Sequence, residues 1–182
     1  MSKAVIFFAP GSEECEGLIT VDLLRRAGVE VQICAVSDQT TVTCSHGARI
    51  VCDALAEDAD PDADAVILPG GIPGTPNLAA SETVCRTVRA YYDAGKLVAA
   101  ICAAPTVLGG LGLMQGRRAT CYPVCEGELG GADYVDAEVI RDGNVITGCS
   151  LGAAIPFALE IIAYLEGPDI AAKKKASIVY RH

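Results

Sequence analysis

The sequence predicts an α/β fold, a mainly parallel sheet covered by helices. Five apolar runs of strand length, at residues 4–8, 29–36, 65–68, 97–101 and 145–147, are almost free of polar interruptions, the pattern of strands buried on both faces. Stretches with helical spacing lie between several of them. Hydrophobic residues make up 51% of the 182 and charged residues 20%, enough apolar material for one sizeable core. Disorder and coiled coil are therefore excluded, and no linker or repeat divides the chain, so residues 1–182 are expected to form a single domain.

The elements follow in order. Ala4 to Phe8 makes the first strand, and a helix carrying Leu18, Val21, Leu23 and Leu24 runs to a stop at Arg26-Ala27-Gly28. Val29 to Val36 is the second strand. Residues 38–53 read as a hairpin-like excursion, because no helical period separates Thr40-Thr41-Val42-Thr43 from Ala48 to Cys52. The acidic stretch after it, with Asp58, Asp60, Asp62 and Asp64, begins like a calcium loop. Counted from Asp58, however, Ala63 stands where the turn needs glycine and Pro69 where a bidentate glutamate is needed, so a solvated loop is expected and no metal. The strand at 65–68 precedes a helix marked by Val84, Val88 and Tyr91 before Gly95. After the strand at 97–101, residues 116–143 are irregular, with turns at Gly130-Gly131 and Asp142-Gly143. The last strand, 145–147, leads to a helix over 153–165. Gly167-Pro168 breaks it, and a final short helix carries Lys173-Lys174-Lys175 near its own negative pole.

Charge and composition narrow the function. With 23 acidic against 14 basic side chains the net charge is −9, a field that repels phosphate backbones, so nucleic acid is not an expected partner. No apolar run approaches the roughly 20 residues that span a bilayer, and the start has no charged region or cleavage site typical of export signals. A soluble, cytoplasmic protein with no membrane partner is expected. Nine cysteines is an odd number with irregular spacing, which suits reduced thiols better than a disulfide framework. Cys34 and Cys149 sit in apolar runs and are expected to be inert core.

Ligands of open parallel sheets bind outside the carboxyl ends of the strands, so the residues after each apolar run carry the most information. The first such turn, Ala9-Pro10-Gly11-Ser12-Glu13-Glu14-Cys15-Glu16, has one glycine and three acids, a poor phosphate site. Acids also suit any helix start, the ordinary reading of each of these glutamates. The second, Leu68-Pro69-Gly70-Gly71-Ile72-Pro73-Gly74, lets the backbone take an unusual path and present N–H groups without a Cβ in the way, though a plain tight turn has the same composition.

The third is the most informative. A buried strand, Leu97 to Ile101, runs into Cys102, two small residues follow, and Pro105 stands where it serves the first turn of a helix. This is the layout of a nucleophile elbow. The helix end and nearby N–H groups are expected to favour thiolate, lowering the thiol from its reference of about 8.5. A cysteine nucleophile usually works with a histidine, and the chain has only His46 and His182. His46, at the tip of the excursion, reads as a surface-turn or interface residue. A carboxyl from another strand end, such as Glu16, could instead hold the proton beside the sulfur if burial keeps it protonated.

Together, Gly11-Ser12-Glu13-Glu14-Cys15-Glu16, Leu68-Pro69-Gly70-Gly71 and Ala99-Ala100-Ile101-Cys102-Ala103-Ala104-Pro105 resemble the ThiJ/PfpI superfamily, in the branch of the parkinsonism-associated protein and its bacterial relatives. The likeness extends along nearly the whole chain. It implies a flavodoxin-like three-layer sandwich, usually a homodimer, with Cys102 as the reactive thiol, Glu16 as the acid hydrogen-bonded to it, and the N–H groups of Gly71 and Ala103 as an oxyanion site. It implies no cofactor. The activities that go with this branch are conversion of methylglyoxal or glyoxal to the hydroxy acid, deglycase repair of early glycation adducts, and oxidative-stress sensing or chaperoning, so a small aldehyde is the expected partner.

Departures from the family pattern matter as well. Peptidase-like members carry a histidine directly after the cysteine, and here that position is Ala103, which argues against proteolysis. Tyr122 stands where some relatives have a second histidine, leaving proton transfer to Glu16, a water or Tyr122. His46 replaces an arginine that often follows the Cys-Ser pair. The glutamine amidotransferases share the elbow but need a late histidine, for which His182 is a poor candidate.

Overall fold

A computed structural model describes all 182 residues. The chain starts with β1 (Lys3–Phe8), α1 (Glu14–Ala27) and β2 (Glu30–Ala35), followed by the hairpin strands β3 (Thr41–Thr43) and β4 (Arg49–Val51) and the short β5 (Ala54–Leu55). Next come β6 (Ala65–Leu68), α2 (Gly74–Ala80), α3 (Glu82–Asp93), β7 (Leu97–Ile101) and α4 (Pro105–Gly110). The final third holds β8 (Arg118–Ala119), β9 (Asp133–Tyr134), β10 (Val139–Asp142), β11 (Val145–Gly148), α5 (Ala154–Glu166) and α6 (Pro168–Ser177).

Seven strands form one sheet in the order β10-β11-β7-β6-β1-β2-β5. Every neighbouring pair is parallel except β10 with β11, which the Asp142-Gly143 turn joins as an antiparallel edge. The five longest-range pairings give the flavodoxin-like order, in which β1 has β2 on one side and β6 on the other. Side-chain alternation along β1 builds a core on each face: Ala4, Ile6 and Phe8 pack with α1 and α5, while Val5 and Phe7 pack with α3 and α4. The result is the three-layer sandwich.

Local chemistry sets the helix ends. Glu13 caps α1 by accepting from the Glu16 amide, and Gly28, at φ 93°, ends it with its N–H on the Leu24 and Arg25 carbonyls. Ser81 caps α3 through the Val84 amide. Lys174 and Lys175 occupy the last turn of α6, as the charge argument expects.

The excursion at 38–53 is a hairpin, with Thr41 opposite Val51. Three pieces differ from the sequence reading. The acidic stretch is not all loop, since β5 adds a parallel edge strand to β2 and Ala56–Asp58 makes a 3-10 turn. Beyond Gly74 the chain forms α2. Cys149, expected in the core, is only partly buried, because the strand before it ends at Gly148. Cys34 is fully buried, and all nine cysteines are free. No helix is long and apolar enough to cross a membrane.

Candidate active site

The carboxyl ends of β1, β6 and β7 lie side by side where the strand order reverses, and the turns that follow them converge there. From the first comes Glu16, only 1% exposed although it is a carboxylic acid. The Glu13 cap holds its amide at 2.6 Å, and its Oε2 accepts from the Gly70 amide at 2.9 Å. From the third comes Cys102, whose φ of 64° lies in the left-handed region. For a residue with a Cβ that conformation costs about 1–2 kcal/mol. The surrounding backbone enforces it: the Cys102 amide donates to the Gly148 carbonyl at 2.9 Å, and its own carbonyl accepts from the Tyr122 amide at 2.7 Å.

The second turn supplies the space between them. A Cβ on Gly70 would stand 2.6 Å from Cys102 Cβ and 2.7 Å from Glu16 Oε2, so the acid and the thiol meet only because this residue has no side chain. Gly71 has φ 92°, and a Cβ there would press on the Glu13 amide at 2.4 Å. The Glu16 carboxyl and the Cys102 thiol act on each other as hydrogen-bonding neighbours, and the Gly71 and Ala103 amides work against the rise of the same thiol. Neither amide is used by another carbonyl.

Burial dominates the electrostatics. It pushes the Glu16 carboxyl up to about 7, against the hydrogen bonds from Cys102 and Gly70. The Cys102 thiol goes up to about 12, from burial first and then the neighbouring Glu16 charge, with the Ala103 and Gly71 amides opposing. This corrects the expectation of a lowered thiol, because α4 is a six-residue helix and its end does not offset the loss of water around the sulfur. The two groups titrate as a pair, the first proton leaving well before the second because one charge in this buried site opposes the next. In between, the pair holds a single proton, either as thiol with carboxylate or as thiolate with carboxyl.

Four of the residues singled out from sequence, Cys102, Glu16, Gly71 and Ala103, are gathered at this point. Tyr122 touches the site through its backbone, and the residue is 45% exposed. His46 is elsewhere: it is a surface-turn residue of the hairpin, with Nδ1 3.0 Å from Ser45 Oγ and 3.4 Å from Glu14 Oε2. Burial alone would raise Glu14, yet bonds from backbone amides and the Ser45 hydroxyl bring it down to about 2. Glu13, Glu14 and His46 are the one set with three ligand-type atoms within 4.8 Å of one another. The Glu14 oxygens already serve Ser45 and the His46 and Ala48 amides, and Glu13 serves Glu16. Sequence reasoning missed Gly70, the donor to Glu16. Its only signal was the paired glycines.

The profile of the DJ-1/PfpI family matches residues 2–164. The chain belongs to that family. Drosophila melanogaster "Protein dj-1beta" is 41% identical over 173 residues, covering 93% of this chain and 92% of that protein. Caenorhabditis elegans "Glutathione-independent glyoxalase DJR-1.2" is 38% identical and covers 92% of this chain and 90% of its own. Among solved structures, oxidized Toxoplasma gondii DJ-1 superposes with a TM-score of 0.96 at 32% identity over the full length of both chains. The DJ-1/PfpI membership agrees with the resemblance read from the three turns.

Proposed function

We propose that this protein is a cysteine-dependent, cofactor-free glyoxalase that converts 2-oxoaldehydes such as methylglyoxal and glyoxal to 2-hydroxy acids, and that acts as a deglycase on early adducts of the same carbonyls. The observation that carries it is the Glu16 carboxyl on the Cys102 sulfur beside two uncommitted amides. The sulfur attacks the aldehyde carbon, and the oxygen of the resulting hemithioacetal is held by the Gly71 and Ala103 N–H groups. Glu16 takes the proton from that carbon and returns it to the adjacent one, leaving a thioester of the hydroxy acid. Water cleaves the thioester and restores the thiol. The glyoxalase name of the nematode relative supports the same chemistry. Nine free thiols suit the cytoplasm, and the family resemblance supports a pair of identical chains.

The test is methylglyoxal turnover followed by an independent lactate assay, with Cys102→Ala beside the wild type. Lactate from the wild type alone is expected. Loss of aldehyde without lactate would overturn the reading, since nine thiols bind aldehydes reversibly.

A second reading is a redox sensor or chaperone, in which Cys102 is oxidised to sulfinate and the new charge alters partner binding. The same two amides and a protonated Glu16 suit a sulfinate, and the Toxoplasma relative is described in an oxidized form. Failure of turnover together with selective oxidation of Cys102 would favour it.

A further inference from the structure

We propose that Cys121 and Cys125 form a second redox site, a dithiol that closes to an intramolecular disulfide on the segment bracing the Cys102 turn. The two cysteines flank the start of the 3-10 turn Pro123–Glu128, for which Tyr122 is the cap. They meet at one atom. The Cys121 thiol donates to the Tyr122 carbonyl oxygen at 3.3 Å, and the Cys125 amide donates to that oxygen at 2.8 Å. Both side chains pack in the same core cluster, Cys121 fully buried and Cys125 partly exposed. The tight turn between them keeps the ring to be closed short and the second thiol at high local concentration.

The partly exposed sulfur of Cys125 meets the oxidant first. With a hydroperoxide its thiolate attacks the distal peroxide oxygen, giving a sulfenic acid and releasing an alcohol or water. The Cys121 sulfur then attacks the sulfenic sulfur, the S–S bond forms, and the hydroxyl leaves as water with the Cys121 proton. Two thiols lose two electrons in all. Burial first, then the neighbouring Cys125, Glu126 and Glu128 charges, pushes the Cys121 thiol up to about 12, so closure accelerates as the pH rises.

Closure removes the S–H donor from the Tyr122 carbonyl, while the amide of the same residue still braces Cys102 at 2.7 Å. The pair thus bears on the active site through one residue, Tyr122.

The test uses the full-length reduced protein and diamide, an azo oxidant that accepts the two hydrogens. Remaining thiols are alkylated with iodoacetamide, and the peptide from Ala119 to Arg141, which contains only these two cysteines, is weighed. Most of it should be lighter than the reduced peptide by two hydrogens and unlabelled at both positions. Full labelling of both cysteines, or their recovery in bonds to other cysteines such as Cys149, would overturn the proposal. In Cys125→Ser, Cys121 should remain labelled. Its loss from the labelled pool there would mean another partner, and the proposal fails.

Discussion

Glu16 and Cys102 face each other across Gly70, a position at which a side chain would collide with the Oε2 of the one and the Cβ of the other. The acid comes from the turn after β1 and the thiol from the turn after β7, while Gly70 follows β6, which lies between those strands in the sheet. It also donates its amide to the acid at 2.9 Å.

Gly70→Ala is therefore expected to push the pair apart while leaving the identity of both members unchanged. Misplacement of this order costs about 100-fold in turnover. The crowding itself should destabilise the fold by about 1–3 kcal/mol. Lactate formation and urea unfolding measure the two effects, and wild-type turnover in this variant would show that the contact is dispensable.

The pH profile should follow the pair. Since the reactive form holds one proton shared between sulfur and carboxyl, kcat/KM is expected to rise with an apparent pKa of about 7, where the first proton leaves. In Glu16→Gln that inflection should vanish along with turnover. A profile that falls through the same region would mean that the doubly protonated pair is the active one.

Stability should move the opposite way. A carboxyl raised from 4.5 to about 7 contributes stability that is fully present below its unfolded value and lost as the pH rises through its folded one. Between about pH 4.5 and about pH 7 the wild type should lose roughly 3 kcal/mol relative to Glu16→Gln, which cannot ionise. Chemical unfolding of both proteins across that window checks the difference, and parallel curves would show that Glu16 is not the titrating group.

Pairing of two chains is the remaining expectation. Leu18, two residues beyond Glu16 on α1, is 40% exposed and joins Ile19, Leu23, Ile155 and Ile178 in an apolar groove. Light scattering should give a dimer mass at micromolar concentration, and Leu18→Asp should lower it to that of a monomer. A wild-type monomer would remove pairing from the functional reading.

Much of this architecture was legible in the sequence because buried parallel strands write themselves as uninterrupted apolar runs: β1, β2, β6, β7 and β11 were all readable in that way. The pieces that escaped have weak patterns. Helix α2 is seven residues long and contains Pro76, and β10 is an edge strand that mixes Val139 and Ile140 with Arg141 and Asp142. At the site, residue types and spacing pointed to Cys102 and Glu16. The direction of the thiol shift was not readable, because it depends on how much water the three converging turns exclude. The partnership of Gly70 with Glu16 is likewise a product of strand order.

The left-handed backbone at Cys102 has a consequence for how the position can change over generations. A glycine there would be free of the backbone penalty that the cysteine bears, so the conformation of the turn gives no reason for a thiol at this position. The backbone alone exerts no pull to keep this thiol. What holds a cysteine where the backbone favours glycine is a demand for the sulfur itself.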